Sequence, residues 1–183
     1  MNKLLILDIN GLLCKRIDKD VVYDSKLKCV KLPGYNVILR PHYKEFLQHC
    51  YHYYHVAIFT SGSKRNTKVI LDALLTKEQL KNTQFIWCRD RNRLDPDFNT
   101  DIFTTSFDTI KYLQDVYDNP IINEHRIYND TNTLLLDDSH RKCRFNNPNN
   151  FMICNTFDGN ANDTYLQQLI HLLLDHPITT LKL

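Results

Sequence analysis

The chain has 183 residues, enough for one domain with a full core. Hydrophobic residues make up 43% of it, which excludes a disordered tail, and a net charge of +2 is too small an excess to mark a nucleic-acid binder. The N-terminus lacks the charged-then-apolar pattern of a signal peptide, and no apolar run approaches the roughly 18 residues of a membrane span. The expectation is a soluble intracellular protein, cytoplasmic or nuclear, with no membrane attachment. The six cysteines are scattered without a Cys-x-x-Cys pair and read as reduced thiols. His49, Cys50, His52 and His55 cluster on a helical pattern, but no second ligand pair accompanies them, which argues against zinc.

In chain order, the stretch from Lys3 to Leu7 is a short apolar run ending at Asp8, with Gly11 close behind. That pattern predicts a buried strand of a parallel sheet with Asp8 at its carboxyl end, where ligands of open α/β sheets bind. A carboxylate there is a nucleophile, a metal ligand, or a plain turn cap. Lys15 to Asp20 reads as a polar turn. Val21 to Leu32 alternates and ends at Pro33-Gly34, predicting a hairpin or flap over the strand ends. Val37 to Arg40 precedes Pro41, placed just inside a helix start. Tyr43, Phe46, Leu47 and Cys50 then give that helix one apolar face.

His55 to Phe59 is the second predicted core strand, running into Thr60-Ser61-Gly62. Hydroxyls and free amides there suit an anion, while Ser61 or Ser63 equally suits a helix cap. The helix that follows should bury Val69, Ile70, Leu71, Leu74 and Leu75. Phe85 to Cys88 is a further strand. The polar stretch from Arg89 to Thr105 carries Arg89, Arg91 and Arg93, which face either a phosphorylated substrate or solvent. Phe107 to Val116 holds Lys111. Asn132 to Ser139 repeats the opening pattern, an apolar strand running into Asp137 and Asp138. Phe151 to Cys154 is a short strand, and Thr164 to Leu174 is an apolar closing helix.

Asp8, Thr60-Ser61, Lys111 and Asp137-Asp138 thus form a constellation of strand ends. Carboxylates from two strands suit a hard, oxygen-preferring ion such as Mg²⁺. Lys111 and the hydroxyls would hold the oxygens of a phosphoryl group attacked by Asp8.

These segments resemble the four motifs of the haloacid dehalogenase (HAD) superfamily. Within it the chain is similar to the phosphatases of the RNA polymerase II C-terminal domain, the NLI-interacting-factor-like group. The carriers are Leu5 to Gly11, Thr60 to Gly62, Lys111, and Leu135 to Ser139, with Leu39 to Leu47 resembling the group's Arg-Pro-initiated helix. The resemblance runs from about Lys3 to about Asp158. It implies a single α/β domain over 1–183, a Rossmann-like HAD core with a mostly parallel central sheet and a small β flap after the first strand; a monomer is the separate expectation. It implies that Asp8 takes up the phosphoryl group from phosphoserine or phosphothreonine in a protein or peptide. It implies Mg²⁺ bound by Asp8, the backbone carbonyl of Asn10, and Asp138. Asp137 would act through water or orient the metal shell. Thr60 and Lys111 would contact the phosphoryl group, with Ser61, Arg89, Arg91 and Arg93 on the substrate side.

One residue departs from the active pattern. Asn10 stands where a second Asp would protonate the leaving oxygen and then activate water, and its loss costs roughly 10² to 10⁴ in rate. Asn10 is either an introduced change or native to a branch with Asp-Leu-Asn-Gly, which the stretch from Asn132 to Pro148 also resembles. Two further readings follow: a catalytically silent scaffold for a phosphorylated partner, and a nucleic-acid module built on the three Arg residues. The weak charge and missing stacking motif speak against the last.

Overall fold

The computed structural model describes residues 2–97 and 108–175. The part of the Arg-containing stretch from 98 to 105, and Phe107, lie outside the described residues.

The organising element is β1 (Leu4–Leu7), whose four residues are all buried. A strand covered on both faces reads as a continuous apolar run rather than an alternation. Leu5 and Leu7 join the core formed with α1 (Tyr43–Tyr53), α2 (Lys64–Leu74) and α6 (Tyr165–Asp175). Leu4 and Ile6 join a second cluster containing Trp87, Leu113, Val116 and Tyr128. The sheet therefore has covered faces on both sides.

Five strands make that sheet: β1, β5 (His55–Phe59), β6 (Ile86–Trp87), β9 (Thr133–Asp137) and β10 (Phe151–Ile153), in the order β10-β9-β1-β5-β6, with every ladder parallel. The chain leaves β1 toward β5 and β6 on one side and later fills β9 and β10 on the other. The strand order thus reverses at β1, and a crevice opens beyond its carboxyl end. Leu7 pairs with Ile58 and with Leu136, so the register sets Asp8 beside Asp137.

The flap is a separate antiparallel sheet, β2 (Cys14–Asp18), β4 (Tyr35–Leu39) and β3 (Cys29–Lys31), in the order β2-β4-β3. Its composition misleads at two places. Lys15 to Asp18, expected as a turn, is strand; only Cys14 and Ile17 of β2 are buried, because a flap strand has solvent on one side. Val21 to Leu32 is strand only at β3, and Val22 is 95% exposed. Pro41 is not inside the helix but precedes the left-handed His42, after which α1 begins. The expected α1 face of Tyr43, Phe46, Leu47 and Cys50 is buried. In α2, Thr67 takes the buried place expected for Val69, which is exposed. Three short helices complete the secondary structure used below: α3 (Lys77–Asn82), α4 (Gln114–Tyr117) and α5 (His140–Cys143). A two-stranded ribbon, β7 (Arg93–Leu94) with β8 (Thr109–Ile110), joins them. None of the described helices is long and apolar enough to cross a membrane. All six cysteines are free.

Arg40 ties the flap to the core. It is 1% exposed, and its guanidinium donates to both carboxylate oxygens of Asp163 at 2.9 Å. It also donates to the carbonyls of Leu12 and Asn155, and it lies 4.7 Å from the Tyr165 ring centre. One buried cation thus fixes the loop after β1, the segment before α6 and the first turn of α6. Asp163→Ala would leave that cation unpaired. It is expected to cost about 3 kcal/mol, read as a lower denaturant midpoint at unchanged slope.

Candidate active site

Asp8 follows β1 directly and is buried. Its Oδ1 accepts from Lys111 Nζ at 2.6 Å. Its Oδ2 is buried with no partner. Lys111 is wholly buried, and its Nζ also donates to Asp137 Oδ2 at 2.5 Å. The lysine is seated by its own backbone. Its N–H donates to the Lys142 carbonyl at 2.8 Å, and its carbonyl accepts from Asn146 Nδ2 at 2.7 Å.

Two carboxylates against one ammonium leave an excess of negative charge in a dry interior. Burial pushes the Asp8 carboxyl up and Lys111 acts against it. Burial alone would pull Lys111 down, but the Asp8 and Asp137 carboxylates outweigh it and hold its proton more tightly than usual. Lys111 is therefore a fixed ammonium.

Asp8, Asp137 and Asp138 each offer a carboxylate oxygen within 4.8 Å of the others. Asp137 has both oxygens engaged, Oδ2 by Lys111 and Oδ1 by the Ser139 N–H. Asp138 Oδ2 accepts from the Thr156 hydroxyl at 3.0 Å. The partnerless Asp8 Oδ2 and the all-oxygen donor set fit a hard divalent cation. Asp8 and Asp138 are the free donors, and Asp137 braces Lys111. Gly11 makes this approach possible: its φ is +90°, and a Cβ there would lie 1.9 Å from Asp138 Oδ2.

A cavity of about 410 Å³ opens above Asp8. Thr60 and Ser61, after β5, line it. Thr60 Oγ1 accepts from the Gly62 N–H at 3.2 Å, and Ser61 Oγ accepts from Asn92 Nδ2 at 3.0 Å. Ser63 rather than Ser61 caps α2. Asn10 lines the same cavity, with its side-chain Oδ1 accepting from the Arg16 N–H of the flap at 3.0 Å.

The three arginines separate. Arg89 lines the cavity, and its Nε donates to the Ser61 carbonyl at 2.9 Å. Arg91 and Arg93 are not among the lining residues. Arg91 is exposed, while Arg93 is paired with Asp115 and stacked 4.3 Å from the Tyr112 ring centre. Nearby, Asp95 accepts from Arg144 and Arg141, and the Arg144 bond holds its carboxyl down at about 2. That contact fastens the segment after β7 to α5.

Beyond the predicted site residues, Arg16, Tyr35, Asn66 and Lys142 also line the cavity. Lys142 follows the fourth motif closely enough to have been suspected. Arg16 and Tyr35 sit on flap strands, and nothing in their spacing points inward. Asn146, which holds the backbone of Lys111, carries no motif.

The family model described as NLI interacting factor-like phosphatase matches residues 3–177. An uncharacterised FCP1 homology domain-containing protein of Schizosaccharomyces pombe is 30% identical over 156 residues, covering 77% of this chain and 56% of the relative. The structure of the fission yeast RNA polymerase II CTD phosphatase Fcp1 bound to beryllium fluoride superposes with a TM-score of 0.56 at 17% identity, covering 95% of this chain and 50% of that one. A second structure of Fcp1, described as an essential RNA polymerase II CTD phosphatase, gives 0.56 at 17%, covering 97% and 51%. At that identity the likeness is one of fold. The chain spans about half the length of these relatives.

Gly11→Ala is the sharpest test of the acidic cluster. The added methyl group meets the Asp138 carboxylate, so Mg²⁺ affinity by calorimetry should fall at least about tenfold. An unchanged affinity would remove Asp138 from the site.

Proposed function

Because the chain belongs to the NLI interacting factor-like phosphatase family, we propose that it is a Mg²⁺-dependent phosphatase of phosphoserine or phosphothreonine in protein, slowed by Asn10. The observation that carries this reading is the Asp8 carboxylate: one oxygen is held by Lys111, the other is buried without a partner, and Asp8 lines a cavity together with Thr60. An oxygen without a partner in a buried site is the feature expected of a nucleophile or a metal ligand.

The residues divide the work. Asp8 attacks phosphorus, forming a carboxylate-oxygen-to-phosphorus bond as the phosphorus-to-serine-oxygen bond breaks. Lys111 keeps Asp8 aimed and opposes charge on the phosphoryl oxygens, and Thr60 offers a hydroxyl donor. Asp8 and Asp138 would hold Mg²⁺, which supplies charge neutralisation for the incoming dianion. Water then attacks phosphorus and releases phosphate, restoring Asp8. The serine alkoxide needs a proton at the first step, and the water must lose one at the second. Asn10 stands at the cavity but can do neither, so the aspartyl-phosphate forms slowly and persists.

Asn10 also favours a second reading. A chain that keeps Asp8, Lys111 and Asp138 but lacks the proton carrier can bind a phosphorylated partner without turning it over. An aryl phosphate separates the two, because its leaving group needs little protonation. The phosphatase reading expects Mg²⁺-dependent hydrolysis that rises about 10²-fold or more in Asn10→Asp and disappears in Asp8→Asn. No Mg²⁺-dependent turnover in any of the three chains would leave the scaffold.

A further inference from the structure

The cavity above Asp8 holds more positive charge than one phosphoryl group needs. Arg16 from β2, Arg89 after β6 and Lys142 from α5 all line it, and Asp8 is the one carboxylate among the lining residues. Among the described residues, none of these three cations has an ion-pair partner.

Each is nevertheless placed. The Arg16 guanidinium lies 4.2 Å from the Tyr35 ring centre, and the Tyr35 hydroxyl accepts from Asn66 Nδ2 at 2.8 Å. That chain of contacts runs from the flap to α2 and holds Arg16 over the opening. Arg89 spends its Nε on the Ser61 carbonyl and its backbone N–H on the Gly62 carbonyl, and its two Nη groups have no acceptor among the described residues. Lys142 is half-buried, and its backbone carbonyl receives the Lys111 N–H, so the two lysines are set relative to each other. The charge of Lys142 also acts on Asp8.

The charges can be followed inward. The three carboxylates and the Lys111 ammonium leave two negative charges, which a divalent cation cancels. A phosphoryl dianion restores two negative charges, and three rim cations meet them with one positive charge over. Val37 and Ile70 add an apolar wall, which suits a peptide better than a small polyphosphate.

Resting on the phosphatase reading, we propose that Arg16, Arg89 and Lys142 form a cationic rim that selects phosphopeptides carrying a second anionic group beside the phosphorylated residue. Lys142 meets the phosphoryl group itself, and Arg16 with Arg89 meets the flanking anion. Each contact is open to water, so the selection is modest and falls with salt.

The test uses the full chain with Asp8→Asn, so that bound peptide is not consumed. A fluorescent phosphoserine peptide with neutral flanks is compared, in Mg²⁺ and low salt, with one bearing a second phosphoserine nearby. The second phosphate is expected to tighten binding about five- to tenfold. Arg16→Met should abolish that gain. Lys142→Met should weaken both peptides. The unsubstituted chain, titrated without added metal, should show the same gain independently of the Asp8 variant.

Equal affinity for the two peptides, or a gain that survives Arg16→Met, overturns the rim and leaves the phosphatase reading standing. A free alkyl bisphosphate competing as well as the doubly phosphorylated peptide overturns the peptide and makes the rim a small-molecule site. Failure of every phosphopeptide to bind overturns the phosphoprotein reading and the rim with it.

Discussion

The ammonium of Lys111 between Asp8 and Asp137 is the interaction on which the site depends. It places one cation between two carboxylates where no water can screen them, and the attraction is correspondingly strong. The arrangement exists only because three separate segments converge. The parallel register sets Asp8 beside Asp137, and β8 delivers Lys111 from a distant part of the chain. Asn146 and the Lys142 carbonyl then fix its backbone. Removing the ammonium would leave two like charges facing each other in the interior.

What surrounds this cluster is mostly loop, and the loops need their own anchors. Gly11 lets the chain turn under Asp138 with no side chain in the way. The Gly11 carbonyl accepts from the Phe157 N–H, and the Leu12 carbonyl accepts from Arg40. The turn after β1 is thus held from two directions, by the segment before α6 and by the residue after β4. The flap grows out of this turn, so its position over the cavity is set by the same contacts. A buried charge such as Arg40 contributes little net stability by itself, but its directional bonds choose one arrangement of loops over others.

The parts legible in the sequence are those where burial is extreme. β1, β5 and β9 are continuous apolar runs because helices or packed segments cover both faces, and each announces its acidic or hydroxyl end. Lys111 is the least legible member of the constellation, since the strand before it is two residues long. The flap strand β2 was misread because its charged residues face solvent, although Arg16 among them borders the cavity. The three arginines look alike in sequence and part in space: the tight turn at Arg89–Arg91 aims one toward Ser61, and β7 leads another to Asp115. The helix α3 carries a readable capping box, Thr76 with Gln79, that apolar periodicity alone passes over.

On the proposed reading turnover is a blunt instrument for judging this site, because an Asn10 that carries no proton and a missing nucleophile would both give low rates. A mimic of the phosphorylated carboxylate avoids the difficulty, since it needs Asp8, Lys111 and the metal but no proton transfer. The direct measurement is the melting temperature with beryllium fluoride and Mg²⁺ added together, for this chain and for Asp8→Asn. The account predicts a rise that requires both additions and is absent from Asp8→Asn. A rise of equal size in Asp8→Asn, or none in either chain, would contradict an aspartate poised to carry a phosphoryl group.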